Sequence, residues 1–95
     1  MQPLWKLRSG NFAGWNSNGL LYNSNGDHVG YFIDSLAFDC NGRAVGEMYD
    51  DRFIGYRTNI AYPIGGTIAR NVGISVMGYV GYVGNPVLGW DDPKF

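Results

Sequence analysis

Three consecutive 16-residue stretches of the chain repeat one pattern, and that repeat constrains the fold more than any other feature. Aligning Leu4, Leu20 and Leu36 gives units 4–19, 20–35 and 36–51. Gly10, Gly26 and Gly42 fall in one column, and Gly14, Gly30 and Gly46 in another. Ala13, Val29 and Val45 stand before the second column, and Trp15, Tyr31 and Glu47 after it. A degenerate fourth unit starts near Phe53 as FIGYRTNIAYPIGG, with Thr58-Asn59 where an Asn-Gly pair would stand. A fixed period means that one supersecondary unit is used several times. Asn25-Gly26 and Asn41-Gly42 are hairpin signals that predict type I′ turns, with both central residues at positive φ. Apolar and aromatic runs of about five residues flank them, a normal strand length. Second turns are expected at Ser17-Asn18-Gly19, Asp34-Ser35 and Asp50-Asp51, all turn-forming residues. The chain reads as a meander of up to eight short strands.

The second glycine column lies inside a strand. A strand glycine marks a bulge, a bend or a close backbone approach. One such glycine per hairpin predicts the same bend in every unit, and equal bends curl a sheet toward closure. Closure removes the exposed edges on which a short meander would aggregate. The expectation is a single all-β domain over residues 1–95: a small closed or barrel-like meander of hairpins with near four-fold pseudo-symmetry.

The segments LYNSNGDHVGYF, AFDCNGRAVGEMY and FIGYR, with the ending GWDDPKF, resemble the small bacterial family of four-fold beta flower proteins. The resemblance covers nearly the whole chain and rests on structural glycines and aromatics. It implies a shallow, symmetric barrel with hairpin petals. It implies no enzymatic activity and carries over no binding residue.

Composition narrows the function classes. Seven Lys and Arg against eight Asp and Glu give a formal net charge of −1. Nucleic-acid binders carry a basic surplus, so no nucleic-acid partner is expected. Aromatics at 16% and charges at 16% exclude a disordered chain. Cys40 is the one cysteine, so no disulfide within the chain is available. The start MQPLWKLRSG has no apolar run after its basic residues, which makes the cytoplasm the expected compartment.

Residues 71–90, NVGISVMGYVGYVGNPVLGW, carry no charge. That length would allow a membrane helix. The five glycines and Pro86 disfavour helix, and the Val, Ile and Tyr content favours strand. The expectation is a pair or more of buried, glycine-rich C-terminal strands.

Chemistry is sparse. A hydrolytic triad would need His28, the one histidine, which lies two residues after a predicted turn and is expected on an exposed strand. Most Asp residues stand in or beside turns, where backbone reasons explain them. One Cys and one His exclude a zinc site, and NSNGD and DCNGR lack the distal Glu of a calcium loop. No phosphate-binding glycine loop is present. The sequence therefore calls for no catalytic residue, cofactor or metal. Binding potential rests with the aromatics, because ring faces hold cations and sugars. Trp15, Tyr31, Glu47, Tyr79 and Tyr82 are the candidate ligand-binding residues. Glu47 is included because it puts a carboxylate where its sister units put rings. The leading expectation is a non-enzymatic interaction or scaffold module that binds a protein partner or a second copy of itself. Two alternatives are a barrel for a lipid or hydrophobic small molecule, with the apolar tail at a central channel, and an aromatic carbohydrate or cell-wall-binding module.

Overall fold

The computed structural model describes residues 1–74 and 79–95, and among them the chain is all β. Seven strands form the barrel: β1 (Gln2–Lys6), β2 (Phe12–Ser17), β3 (Leu20–Asn23), β4 (His28–Ile33), β5 (Leu36–Asp39), β6 (Ala44–Met48) and β7 (Phe53–Arg57). Neighbours pair antiparallel in chain order, and a parallel pairing of β1 with β7 closes the ring. An odd number of alternating strands must meet in one parallel seam. The eighth strand, β8 (Trp90–Asp91), pairs antiparallel with β7 through Tyr56↔Asp91 and Arg57↔Trp90. Four hairpins result: β1–β2, β3–β4, β5–β6 and β7–β8. The fourth unit is complete in space but split in sequence, since its return strand arrives from the C-terminal end.

The bend is the same in the first three hairpins. Register shifts fall between Leu4 and Trp5, Leu21 and Tyr22, and Ala37 and Phe38. The partner strand has one extra residue at each: Ala13, Val29 and Val45. These are β-bulges, which bend the strand and increase its twist. The glycine after each bulge lies hard against a neighbouring strand. A Cβ on Gly30 would overlap the Phe38 carbonyl oxygen and lie 2.9 Å from its carbon, and one on Gly14 would overlap the Tyr22 carbonyl.

Bulge residues and strand residues together make the core. Leu4, Leu21, Ala37 and Ile54 are fully buried, joined by Ala13 and Val45, with Val29, Phe32, Met48 and Phe95 packed against them. Leu4 is thus the counterpart of Leu21 and Ala37, not of Leu20 and Leu36. The first turn is one residue longer than the others, since Trp5 pairs with Phe12 whereas Tyr22 pairs with His28. No pocket opens among the described residues. The Lys94 N–H donates to the Val45 carbonyl at 2.7 Å, which brings Phe95 onto the core. A bulge leaves such a carbonyl outside the regular ladder.

The turns differ in type from the sequence expectation. Gly26 and Gly42 have φ of 84° and 87°, but Asn25 and Asn41 do not turn left-handed. Gly26 N–H donates to Asn23 O and Asn23 N–H to Asp27 O, the pattern of a type I turn followed by a left-handed glycine. The Asn23 carboxamide and Asp39 carboxylate hold these loops by accepting from Asn25 and Asp27, and from Asn41 and Arg43. The pair with both φ positive is Asn18-Gly19, at 52° and 85°.

Between β7 and β8 the described residues 58–74 and 79–89 form a belt. It crosses the hairpin tips in reverse order. Gly65 N–H donates to Gly42 O at 2.7 Å, Ile74 to Gly26 O at 2.8 Å, and Tyr82 to Gly10 O at 2.8 Å. Thr58 N–H then donates to Gly89 O at 2.9 Å, completing the circuit. The same glycine of each repeat accepts the belt. This corrects the expectation of buried strands over 71–90. No strand precedes Trp90 in the described part of that segment, and its side chains are largely exposed. Single hydrogen bonds to successive tips replace a ladder, so the backbone is partnered without a sheet. The belt runs round the hairpin tips and not through the barrel, whose interior is filled by the core. The expected strand content at 75–78 lies outside the described residues.

Candidate binding surface

The five candidate residues do not converge on one site. Trp15, Tyr79 and Tyr82 belong to one aromatic cluster where the belt crosses the first hairpin. Tyr79 stacks on Phe12 at 4.8 Å and meets Trp15 edge-on at 5.9 Å. Tyr82 meets Trp5 edge-on at 4.7 Å and Phe53 at 5.5 Å. The Trp5 indole N–H donates to Val80 O at 3.0 Å. Edge-to-face pairs like these add about 0.5–1.5 kcal/mol each beyond area burial. The cluster fastens the belt to the barrel. Tyr31 does the same one petal on: its ring stacks on Phe38 at 5.4 Å, and its hydroxyl donates to Gly66 O at 2.6 Å.

Glu47 sits in a polar cluster under the fourth hairpin. Arg57 donates from Nε to Oε1 at 2.7 Å and from Nη2 to Oε2 at 2.9 Å, a bidentate pair. The Tyr62 hydroxyl donates to Oε1 at 3.0 Å and accepts from the Arg57 N–H at 2.8 Å. The Arg57 guanidinium lies 5.6 Å from the Trp90 ring centre. The hydrogen bond to Glu47 raises the Arg57 pKa above its ordinary value. Burial pushes the Tyr62 phenol up, with the Glu47 carboxylate adding to it against the Arg57 hydrogen bonds. Both carboxylate oxygens are occupied. The departure of Glu47 from the ring column is thus explained by its partner Arg57 on the facing strand.

His28 is buried, contrary to the expectation of an exposed strand position. The belt covers it: Asn71 N–H donates to Nδ1 at 2.7 Å, so Nε2 carries the proton and donates to Gly30 O at 2.8 Å. Both nitrogens are held by backbone groups. Among the described residues, no three His, Cys, Asp or Glu side chains gather in a metal-binding group. Every buried side-chain polar atom there has a partner.

Most of the exposed large apolar side chains among the described residues are on the belt, with Met1, Ile33 and Tyr49 exposed off it. Ile64 is 89% exposed, Val72 90%, Val80 88% and Leu88 100%. Each stands immediately before a glycine: Gly65, Gly73 and Gly81 dock on the tip glycines Gly42, Gly26 and Gly10, whereas Gly89 accepts from Thr58 N–H in the β7–β8 hairpin. An extended chain alternates its side chains, so a glycine pressed inward sends its predecessor outward. The sequence signal is an aliphatic-glycine pair every eight residues, which the search for a 16-residue period passes over. Compared with known proteins, the chain matches no family model, no curated protein and no solved structure.

Proposed function

We propose that the chain is a non-enzymatic interaction module of the four-fold beta flower type, bacterial and cytoplasmic, that makes its contacts through the belt. One observation carries this reading: Ile64, Val72 and Val80 are nearly fully exposed at equivalent places on three petals, and Val83 and Leu88 are as exposed on the same belt. Exposed aliphatics scattered singly need no explanation, but a regular set does. The occupied groups of His28 and Glu47 favour binding over catalysis, because neither has a free atom to offer a substrate. Function on this reading resides in a surface, with the barrel serving as its frame.

The test replaces Val72, Val80 and Leu88 together by serine. These side chains are exposed, so the melting temperature should stay within about 3 °C of the parent. Size-exclusion chromatography with light scattering and retention on an apolar resin are then compared. Weaker self-association or weaker retention supports the reading. Identical behaviour in both assays contradicts it.

A further inference from the structure

We infer that His28 is an acid-operated latch: when its imidazole takes up a proton, the belt lets go of the second petal. The inference concerns how the belt is held, and it stands whether or not the belt is the contact surface. His28 is the one histidine of the chain and is buried under the belt. Its two nitrogens have opposite duties. Nδ1 accepts from the Asn71 N–H at 2.7 Å, and Nε2 donates to the Gly30 carbonyl at 2.8 Å. Only the neutral ring can do both, because both nitrogens of an imidazolium are donors. A proton on Nδ1 would set one N–H against another. The bond to Gly30 survives that change, and the bond to the belt does not.

The closed arrangement gives the proton no counter-ion. On β3 the Tyr22 ring lies 5.4 Å from the imidazole, centre to centre. Asp27, just before His28 in the chain, is exposed, and its Oδ2 lies 3.5 Å from the Asn23 side-chain nitrogen. On β5, Asp39 is level with Gly30, and its carboxylate accepts from the Asn41 and Arg43 N–H groups. The buried Cys40 follows it. On the belt the charge beside Asn71 is Arg70, which is exposed. Neither aspartate bonds to His28, and the one ion pair among the described residues joins Arg57 and Glu47 in the fourth petal.

The neighbouring attachments do not titrate. Ile68 N–H donates to Cys40 O and Ile74 N–H to Gly26 O, both at 2.8 Å and both backbone to backbone. Between them His28 is the one side chain that holds the belt and can change its charge near neutral pH. Asn71 is itself exposed, so its N–H can turn to water once the ring lets go.

The sign and size follow from linkage. A histidine in water titrates near about pH 6.5. The closed belt holds the neutral ring, so closure is fully favoured above that pH and weakens as pH falls below it. Between about pH 7.5 and about pH 5 the constant for local opening should rise about 30-fold.

The experiment is amide hydrogen exchange of the full chain by NMR across that range, corrected for the intrinsic pH dependence of exchange. His28→Gln is run in parallel, since a carboxamide can accept and donate without titrating there. The expected result is a rise of about 30-fold in opening at Asn71 in the parent and less than about threefold in His28→Gln. A rise under about threefold in the parent overturns the inference, and so does an equal rise in the variant. Thermal melts report whether His28→Gln folds. If it does not, two-bond proton–nitrogen correlation spectra of the parent decide. The Asn71 amide shift should then move in step with protonation of the His28 ring. A ring that becomes protonated while the Asn71 amide keeps its shift and its protection overturns the inference.

Discussion

Gly30 is the position at which the closure of the barrel can be tested by adding one methyl group. Alanine there would drive its Cβ into the Phe38 carbonyl oxygen and to 2.9 Å from the carbonyl carbon. The obstacle is backbone in a paired strand, since Phe38 is paired to Tyr31 on one side and to Ala44 on the other. It cannot swing away as a side chain would. Relief requires β4 and β5 to separate at the bend. Overpacking of this kind costs about 3 kcal/mol or more. For a domain of this size that is roughly 12–24 °C in melting temperature. The internal comparison is Gly46, the same column one petal on. Its new Cβ would meet the end of the Ile54 side chain, at 2.9 Å from Cδ1, and lie 3.2 Å from the Gly55 carbonyl oxygen, a milder approach than the backbone overlap at Gly30. Gly46→Ala should therefore cost about 1 kcal/mol. Gly66 is a second comparison: it has open space around it and no left-handed φ. There alanine restricts the unfolded chain and should stabilise by about 0.4–1 kcal/mol. The assay is thermal unfolding by circular dichroism, with the three variants in parallel. A Gly30→Ala melt within about 3 °C of the parent, or a larger loss at Gly46 than at Gly30, would refute the account of the bend.

Other perturbations have expected outcomes. His28→Phe leaves the Asn71 N–H without its acceptor and should lower stability by about 1–3 kcal/mol, read by chemical denaturation, with faster amide exchange at Asn71. Glu47→Gln removes a bidentate carboxylate from Arg57 and Tyr62; part of that pair is open to water, so the loss should be about 1 kcal/mol in the same assay. The fold raises the Tyr62 pKa, so the folded chain holds that proton where the unfolded chain has released it. This contribution is fully present below pH about 10 and is lost as pH rises through the folded value. Denaturation midpoints should fall above pH about 10, and less steeply in Tyr62→Phe.

Some of this architecture is legible in the residues. The two glycine columns, the apolar residue before the second and the turn residues between units are local signals, and they specify bulged hairpins that curl toward closure. Other parts depend on long-range contacts that no local pattern encodes. The return strand of the fourth hairpin is Trp90–Asp91, far from Phe53–Arg57 in sequence. Its Gly89-Trp90 pair has the look of Gly14-Trp15 and Gly30-Tyr31, which is the trace left in the sequence. His28 reads as exposed beside a turn because the belt that buries it comes from a distant segment. The type I′ expectation at Asn25 and Asn41 failed because Asn23 and Asp39 hold a wider loop through their side chains. The belt reads as strand because its composition is strand-like, yet it meets the barrel one carbonyl at a time. Of the candidate residues, Trp15, Tyr79 and Tyr82 share one cluster and Tyr31 stands apart from it. The rings of Trp15 and Tyr31 are buried, and those of Tyr79 and Tyr82 fasten the belt while staying partly exposed beside the aliphatic residues.

The placement of the belt underlies the fold and the proposed function alike, and amide hydrogen exchange tests it most directly. The account predicts protection at Gly65, Ile74, Tyr82 and Asn85, which donate to Gly42, Gly26, Gly10 and Leu7. It predicts faster exchange at the exposed residues between them, Val80 and Val83 among them. Slow exchange confined to β1 to β7, with the four belt amides exchanging at the rate of an unstructured chain, would contradict it.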